Sequence, residues 1–152
     1  MKKIASFTIN HDTLTEGLYT SRVDGDIVTY DIRMRKPNND DFLATGAIHT
    51  VEHLFATYVR NSKYADDVIY FGPMGCQTGF YLLIRNADHI RVFEEIKTVL
   101  KNILEYNGEV FGNSEIECGN YRTLDLRLAH YEAKKYLAVL NDWTDMSFSY
   151  NT

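Results

Sequence analysis

The sequence predicts an α+β fold, an antiparallel sheet with helices packed on one of its faces. Two observations predict it: strand-like segments come in hairpins, and the helical segments are not interleaved one per strand. A doubly wound parallel sheet is disfavoured. The 152 residues fit one domain, 1–152, large enough to build a core without a metal or disulfide staple.

Each element has its own reason. "SFTINHD" alternates Phe7 and Ile9 with Ser6, Thr8 and Asn10, the pattern of a short strand. In "GLYTSRVDGDIVTYDIRMRKPN" the pair Asp24-Gly25 signals a hairpin turn. The return strand then sets Val28, Tyr30, Ile32 and Met34 on one face and Thr29, Asp31, Arg33 and Arg35 on the other. A helix ends near Asn61, "DVIYF" and "FYLLIR" read as strands around a "GPMG" turn, and Asn86 to Tyr106 is a helix with Ile90, Phe93, Ile96, Val99, Leu100 and Ile103 on one stripe. "GEVFGNSEIECGNY" is a loop. The last helix covers about Asp125 to Leu140, and "NDWTDMSFSYNT" is a tail whose aromatics suggest docking.

Composition narrows the function. A formal charge of -5 with no Lys/Arg run argues against nucleic acid or an anionic membrane as partner and leaves small-molecule ligands open. No apolar run has transmembrane or signal-peptide length, so a cytoplasmic protein is expected, with Cys76 and Cys118 kept as thiols.

The informative stretch is "AIHTVEHLFATYVRN". At about 100° per residue, His49, Glu52, His53, Ala56 and Arg60 share one stripe, while Ile48, Val51, Leu54, Phe55 and Tyr58 form the apolar one. Two imidazoles one turn apart can converge on a metal, and a carboxylate beside them can move protons. His-x-x-Glu-His is also the inverted order of the zinc-protease motif, so the pattern alone does not fix a reaction. A third ligand is needed, and the candidates are Cys118, His89, His130, Cys76 and several carboxylates. Cys118, in the polar loop "ECGN", is favoured. Cys76, in "PMGCQTG", reads either as a small buried hydrophobe or as a thiol exposed on a turn, which a nearby cation would make a usable acid/base. His89 and His130 look like surface residues of amphipathic helices and receive no role.

"HTVEHLFATYVRN", "GPMGCQTGFYL" and "CGNY", co-linear and at this spacing, closely resemble the S-ribosylhomocysteine lyase (LuxS) family, and "SFTINH" and "DIRMRKPN" extend the likeness over nearly the whole chain. The resemblance implies His49, His53 and Cys118 as metal ligands, for iron(II) with zinc or cobalt as substitutes. It implies Glu52 and Cys76 as the acid/base pair, and Ser6, His11, Asp31 and Arg33 around the substrate, partly across a homodimer interface. The expected products are homocysteine and 4,5-dihydroxy-2,3-pentanedione, the autoinducer-2 precursor. One departure stands out: where the family often reads Asp-Ile-Ser before "PMGC", this chain has Tyr70-Phe71-Gly72, so a carboxylate contact to the substrate is expected to be missing. Two other readings keep distinct signatures. A metallopeptidase of the inverted motif would recruit a downstream carboxylate as third ligand, and a non-catalytic metal-binding module would close its site with Cys76 as fourth.

Overall fold

A computed structural model describes residues 1–150. Four strands, β1 (Gly17–Asp24), β2 (Ile27–Arg33), β3 (Val68–Pro73) and β4 (Gly79–Arg85), form one sheet in the order β1-β2-β4-β3, with every neighbouring pair antiparallel. Three helices accompany it: α1 (Thr45–Arg60), α2 (His89–Glu105) and α3 (Leu126–Asn141). The α+β architecture expected from the hairpin pairing is the one observed.

Register explains which side is buried. Ile32 pairs with Leu18 and Phe80, Tyr30 with Leu82, and Val28 with Ile84, so these side chains share the face that the helices cover. Phe71 stacks on Phe55 of α1 at 4.2 Å between centroids and on Phe80 at 5.0 Å. That aromatic column clamps the apolar stripe of α1 to the sheet. Val51, Leu54, Phe55 and Val59 are all buried, which turns the His49/Glu52/His53 stripe away from the core.

Several local expectations change. The "SFTINH" segment is not a strand: Ala5–Phe7 is a single 3-10 turn, closed by Phe7 N–H to the Ile4 carbonyl and Thr8 N–H to the Ala5 carbonyl. Five alternating residues with no neighbour to pair with satisfy their backbone locally instead. The hairpin turn is Gly25-Asp26 rather than Asp24-Gly25, because Asp24 pairs with Ile27 and Gly25 takes φ +61° at the first turn position. In α2 the side chain of Asp88 caps the Arg91 N–H, so the helix starts at His89 and Ile90 falls on its outer side, 54% exposed, while Val92 takes the inner place. His89 and His130 are half-buried structural residues: His89 Nδ1 meets the Tyr30 hydroxyl at 2.6 Å, and His130 Nε2 meets the Tyr106 carbonyl at 2.7 Å.

The aromatic tail docks on its own chain. Phe148 is fully buried against Phe93 and its carbonyl accepts the Thr20 N–H of edge strand β1, while Trp143 packs edge-on against Tyr19 and Tyr150 stacks over Tyr19. The Asp31/Arg33 side of β2, the polar face of the return strand, is enclosed there: Asp31 is 0% and Arg33 2% exposed.

Candidate metal centre

His49 and His53 leave α1 one turn apart, their rings edge to face at 4.6 Å between centroids. The loop before α3 brings Cys118 to them, with Sγ 3.3 Å from His49 Nε2. The ligand atoms of His49, His53 and Cys118 all lie within 4.8 Å of one another.

Hydrogen bonding on the far side of each ring fixes which nitrogen is free. The Thr123 hydroxyl donates to the Asn120 carbonyl, so its oxygen accepts, at 2.6 Å, the proton on His49 Nδ1. His53 Nδ1 donates to the Phe111 carbonyl at 2.7 Å. Both imidazoles are thereby held as Nδ1–H tautomers with the Nε2 lone pair available, the arrangement that ligating histidines need. Gly112 makes the second contact feasible. It sits at φ +73°, and a Cβ there would come within 3.2 Å of His53 Nδ1. Burial first, and the neighbouring His53 second, hold the His49 pKa below its ordinary value, which favours the neutral ring a cation requires. Two neutral imidazoles and a thiol suit a borderline or soft divalent ion.

The remaining site candidates, apart from Asp31, fall in three clefts. Glu52 and His53 line one of about 610 Å³, together with Tyr70, Phe111 and Glu117. The exposed thiol of Cys76 lies in another, with His11, Arg33, Asn38, Phe42 and Thr78. Ser6 lines the third, on the outer face of the sheet, with Ile4, Tyr81, Leu83 and again Tyr70. The structure thus joins the three ligand candidates, places Glu52 beside them, and sets Cys76 with His11 and Arg33. Cys76 and Glu52 line different clefts of the three. Asp31 lines none of these three clefts. Its carboxylate accepts from Arg33 at 2.6 Å and from the Tyr150 hydroxyl at 2.7 Å, so it reaches the site only through Arg33. Burial opposes the Arg33 charge, but the Asp31 carboxylate outweighs it and keeps the guanidinium firmly cationic. Arg33 donates in turn to the Thr78 oxygen at 2.7 Å, and Thr78 Oγ1 lies 2.9 Å from Cys76 Sγ.

Thr123, the Phe111 carbonyl, Thr78 and Tyr150 were not legible as site residues from sequence. Each acts by a hydrogen bond whose partner only the fold reveals. Tyr70 was legible as a departure, and the structure gives its physical basis: the phenol lies over Gly72, where any Cβ would overlap its ring. The Tyr70 and Gly72 replacements are sterically coupled.

Two imidazoles and a cysteine sulfur converging from a helix and a loop, on an α+β scaffold, define a class of protein that could hold one metal ion at three protein donors. Cys76 is not part of that cluster among the described residues, which speaks against a closed four-ligand site. Comparison with known proteins narrows the class. The family model for S-ribosylhomocysteinase (LuxS) matches residues 4–147. The chain is 44% identical to an S-ribosylhomocysteine lyase of Clostridium acetobutylicum, with 99% of both chains covered. It is 48% identical to one of Clostridium beijerinckii, with 90% of both covered, and 42% identical to one of Borreliella afzelii, with 99% of both covered. The chain belongs to the S-ribosylhomocysteinase (LuxS) family.

Proposed function

We propose that this protein is an S-ribosylhomocysteine lyase, a single catalytic domain that splits the thioether of S-ribosylhomocysteine into homocysteine and 4,5-dihydroxy-2,3-pentanedione. The observation that carries the reading is the convergence of His49, His53 and Cys118 with Glu52 beside them, in a chain whose relatives bear that name along their whole length. Third-ligand chemistry also favours it over a metallopeptidase, because the third donor is a cysteine sulfur and not a carboxylate.

The substrate's carbonyl starts at C1, while the sulfur leaves from C5. Loss of the thiolate by β-elimination needs a carbonyl at C3 and a proton removed from C4. The carbonyl must first migrate twice: a proton leaves C2 and one returns to C1, then a proton leaves C3 and one returns to C2. His49, His53 and Cys118 would hold iron(II), with zinc or cobalt as substitutes. When bound, the ion supplies Lewis-acid polarisation of the carbonyl oxygen. The chain's own groups move the protons. Glu52 serves the side of the site next to His53, and Cys76 the side next to Arg33, each taking a proton from one carbon or oxygen and returning it to the next. Ser6, His11 and Arg33 position the substrate, and Asp31 orients Arg33.

The site is completed in a homodimer. Its support is the outer sheet face, where Thr29, Leu83 and Tyr70 stand in register with Ile4 in the same cleft, and Phe7 is exposed on the adjoining 3-10 turn. No helix among the described residues is long and apolar enough to cross a membrane, and two free thiols suit a reducing cytoplasm.

Anaerobic assay of the iron-loaded protein tests the reading, following free thiol released from S-ribosylhomocysteine. Homocysteine release is expected from this compound and none from S-adenosylhomocysteine. Peptide hydrolysis without thiol release would replace the lyase by the peptidase reading.

A further inference from the structure

The C-terminal tail reaches the acid/base thiol through an unbroken run of hydrogen bonds. Tyr150 O–H donates to Asp31 Oδ2 at 2.7 Å, and Arg33 donates to the same oxygen at 2.6 Å. The other end of the Arg33 guanidinium donates to Thr78 Oγ1 at 2.7 Å. Thr78 Oγ1 in turn lies 2.9 Å from Cys76 Sγ, where either group can be the donor, and 4.0 Å from Met74 Sδ, to which its hydroxyl can also donate. Among the described residues Asp31 Oδ1 has no partner, and both donors recorded to the carboxylate meet at Oδ2.

We propose that Tyr150 is a positioning residue for Cys76: its hydroxyl shares Asp31 Oδ2 with Arg33 and so leaves the guanidinium able to hold the Thr78 hydroxyl against the thiol. This rests on the reading of Cys76 as an acid/base group. In a buried network each donor polarises the next. With Tyr150 present, the Asp31 charge is divided between two donors. Without it, the carboxylate is balanced by Arg33 alone, the potential around Cys76 becomes more negative, and a thiolate there is less favoured.

Within the tail, Tyr150 stands apart from the residue that anchors it in the core. Phe148 is the buried anchor and its carbonyl takes the Thr20 N–H, whereas Tyr150, two residues on, contributes a stack on Tyr19 and the bond to Asp31. Burial first, then the Asp31 charge, push the Tyr150 phenol well above its ordinary value, so it stays a donor throughout the working pH range. The other titratable groups facing the thiol are His11 across the cleft, and Tyr81, which pairs with Asp31 in the sheet. Neither contacts Tyr150 through a hydrogen bond.

Tyr150→Phe keeps the ring and removes only the hydroxyl. Tyr150→Leu removes both. The full-length, metal-loaded proteins are alkylated with iodoacetamide over a range of pH, and modification of the Cys76 peptide is read by mass spectrometry. Both variants are expected to alkylate Cys76 roughly 2–10-fold more slowly than wild type at pH 7, the worth of one ordinary hydrogen bond, with the profile displaced to higher pH and metal content unchanged. A wild-type profile in Tyr150→Phe, or an effect in Tyr150→Leu alone, overturns the proposal, since the tail would then only pack. Failure of the acid/base reading is separately visible: Cys76→Ser would turn over at the wild-type rate whatever the alkylation profile does.

Discussion

At the scale of single residues, the candidate metal centre depends as much on what lies behind His49, His53 and Cys118 as on those three side chains. His49, Glu52 and His53 were legible because helical periodicity alone puts them on one stripe, and Cys118 because it stands in a polar loop. Thr123 was not, since it meets His49 across 74 positions of chain, and Phe111 meets His53 across 58 with a backbone carbonyl that any residue carries. Thr123→Val removes the acceptor that fixes the His49 tautomer while keeping the side-chain volume. Metal affinity, measured by chelator competition, should fall by about 10–100-fold, the usual cost of losing such a partner; an unchanged affinity would show that His49 needs no orienting group. The two thiols separate cleanly as well. Cys118→Ser should lose most of its metal together with activity. Cys76→Ser, outside the cluster, should retain its metal and lose turnover by about 10²–10⁴-fold, the scale of a general acid–base group. Metal analysis beside single-turnover rates decides this, and metal loss from Cys76→Ser would reinstate the closed-site reading.

At the scale of elements, the sequence was most readable where periodicity ran for several turns or a strand pair shared one apolar face, and least where a cap set the boundary. The stripe of α2 was right from Phe93 onward and wrong at Ile90, because the Asp88 cap fixes the first turn and not the hydrophobic pattern. The same physics governs α3. Its Asp125 side chain accepts from the Arg127 N–H, and its own N–H donates to Thr50 Oγ1 of α1, so one residue both caps α3 and ties it to the helix bearing the ligands. Asp125→Ala should therefore cost about 1 kcal/mol. The Arg127 side chain, foremost, holds the Asp125 carboxyl below its ordinary value of 3.8. A carboxyl depressed in the fold binds fewer protons there than in the unfolded chain, so its contribution is present above that ordinary value and is lost as pH falls through the lower, folded one. Urea unfolding of the metal-free proteins should show the gap between wild type and Asp125→Ala at pH 6 closing toward pH 3. A gap that stays constant would mean that the cap acts without its charge.

At the scale of the whole molecule, the sheet has two unlike faces, and the difference predicts assembly. The helices bury one. The tail covers only part of the other, over Tyr19 and Asp31, and leaves the row of Thr29, Leu83 and Tyr70, with the 3-10 turn bearing Ser6 and Phe7 beside it. The "SFTINH" segment was misread as a strand for a related reason: its apolar residues do not face this chain's core, and Phe7 stays 67% exposed. An apolar residue that the fold leaves outside, next to a cleft lined by Ser6, is explained if a second copy covers it and the clefts meet at the join. Light scattering at micromolar concentration should then give twice the 17.6 kDa chain mass. Phe7→Asp places a charge in that contact and touches neither the core nor the metal ligands. It should shift the protein toward monomer, leave the bound metal in place, and lower turnover in proportion to the dimer lost, so that raising protein concentration restores specific activity. A wild-type monomer with full activity, or a monomeric Phe7→Asp protein that turns over normally, would mean that each chain carries a complete site and that the exposed face serves some other contact.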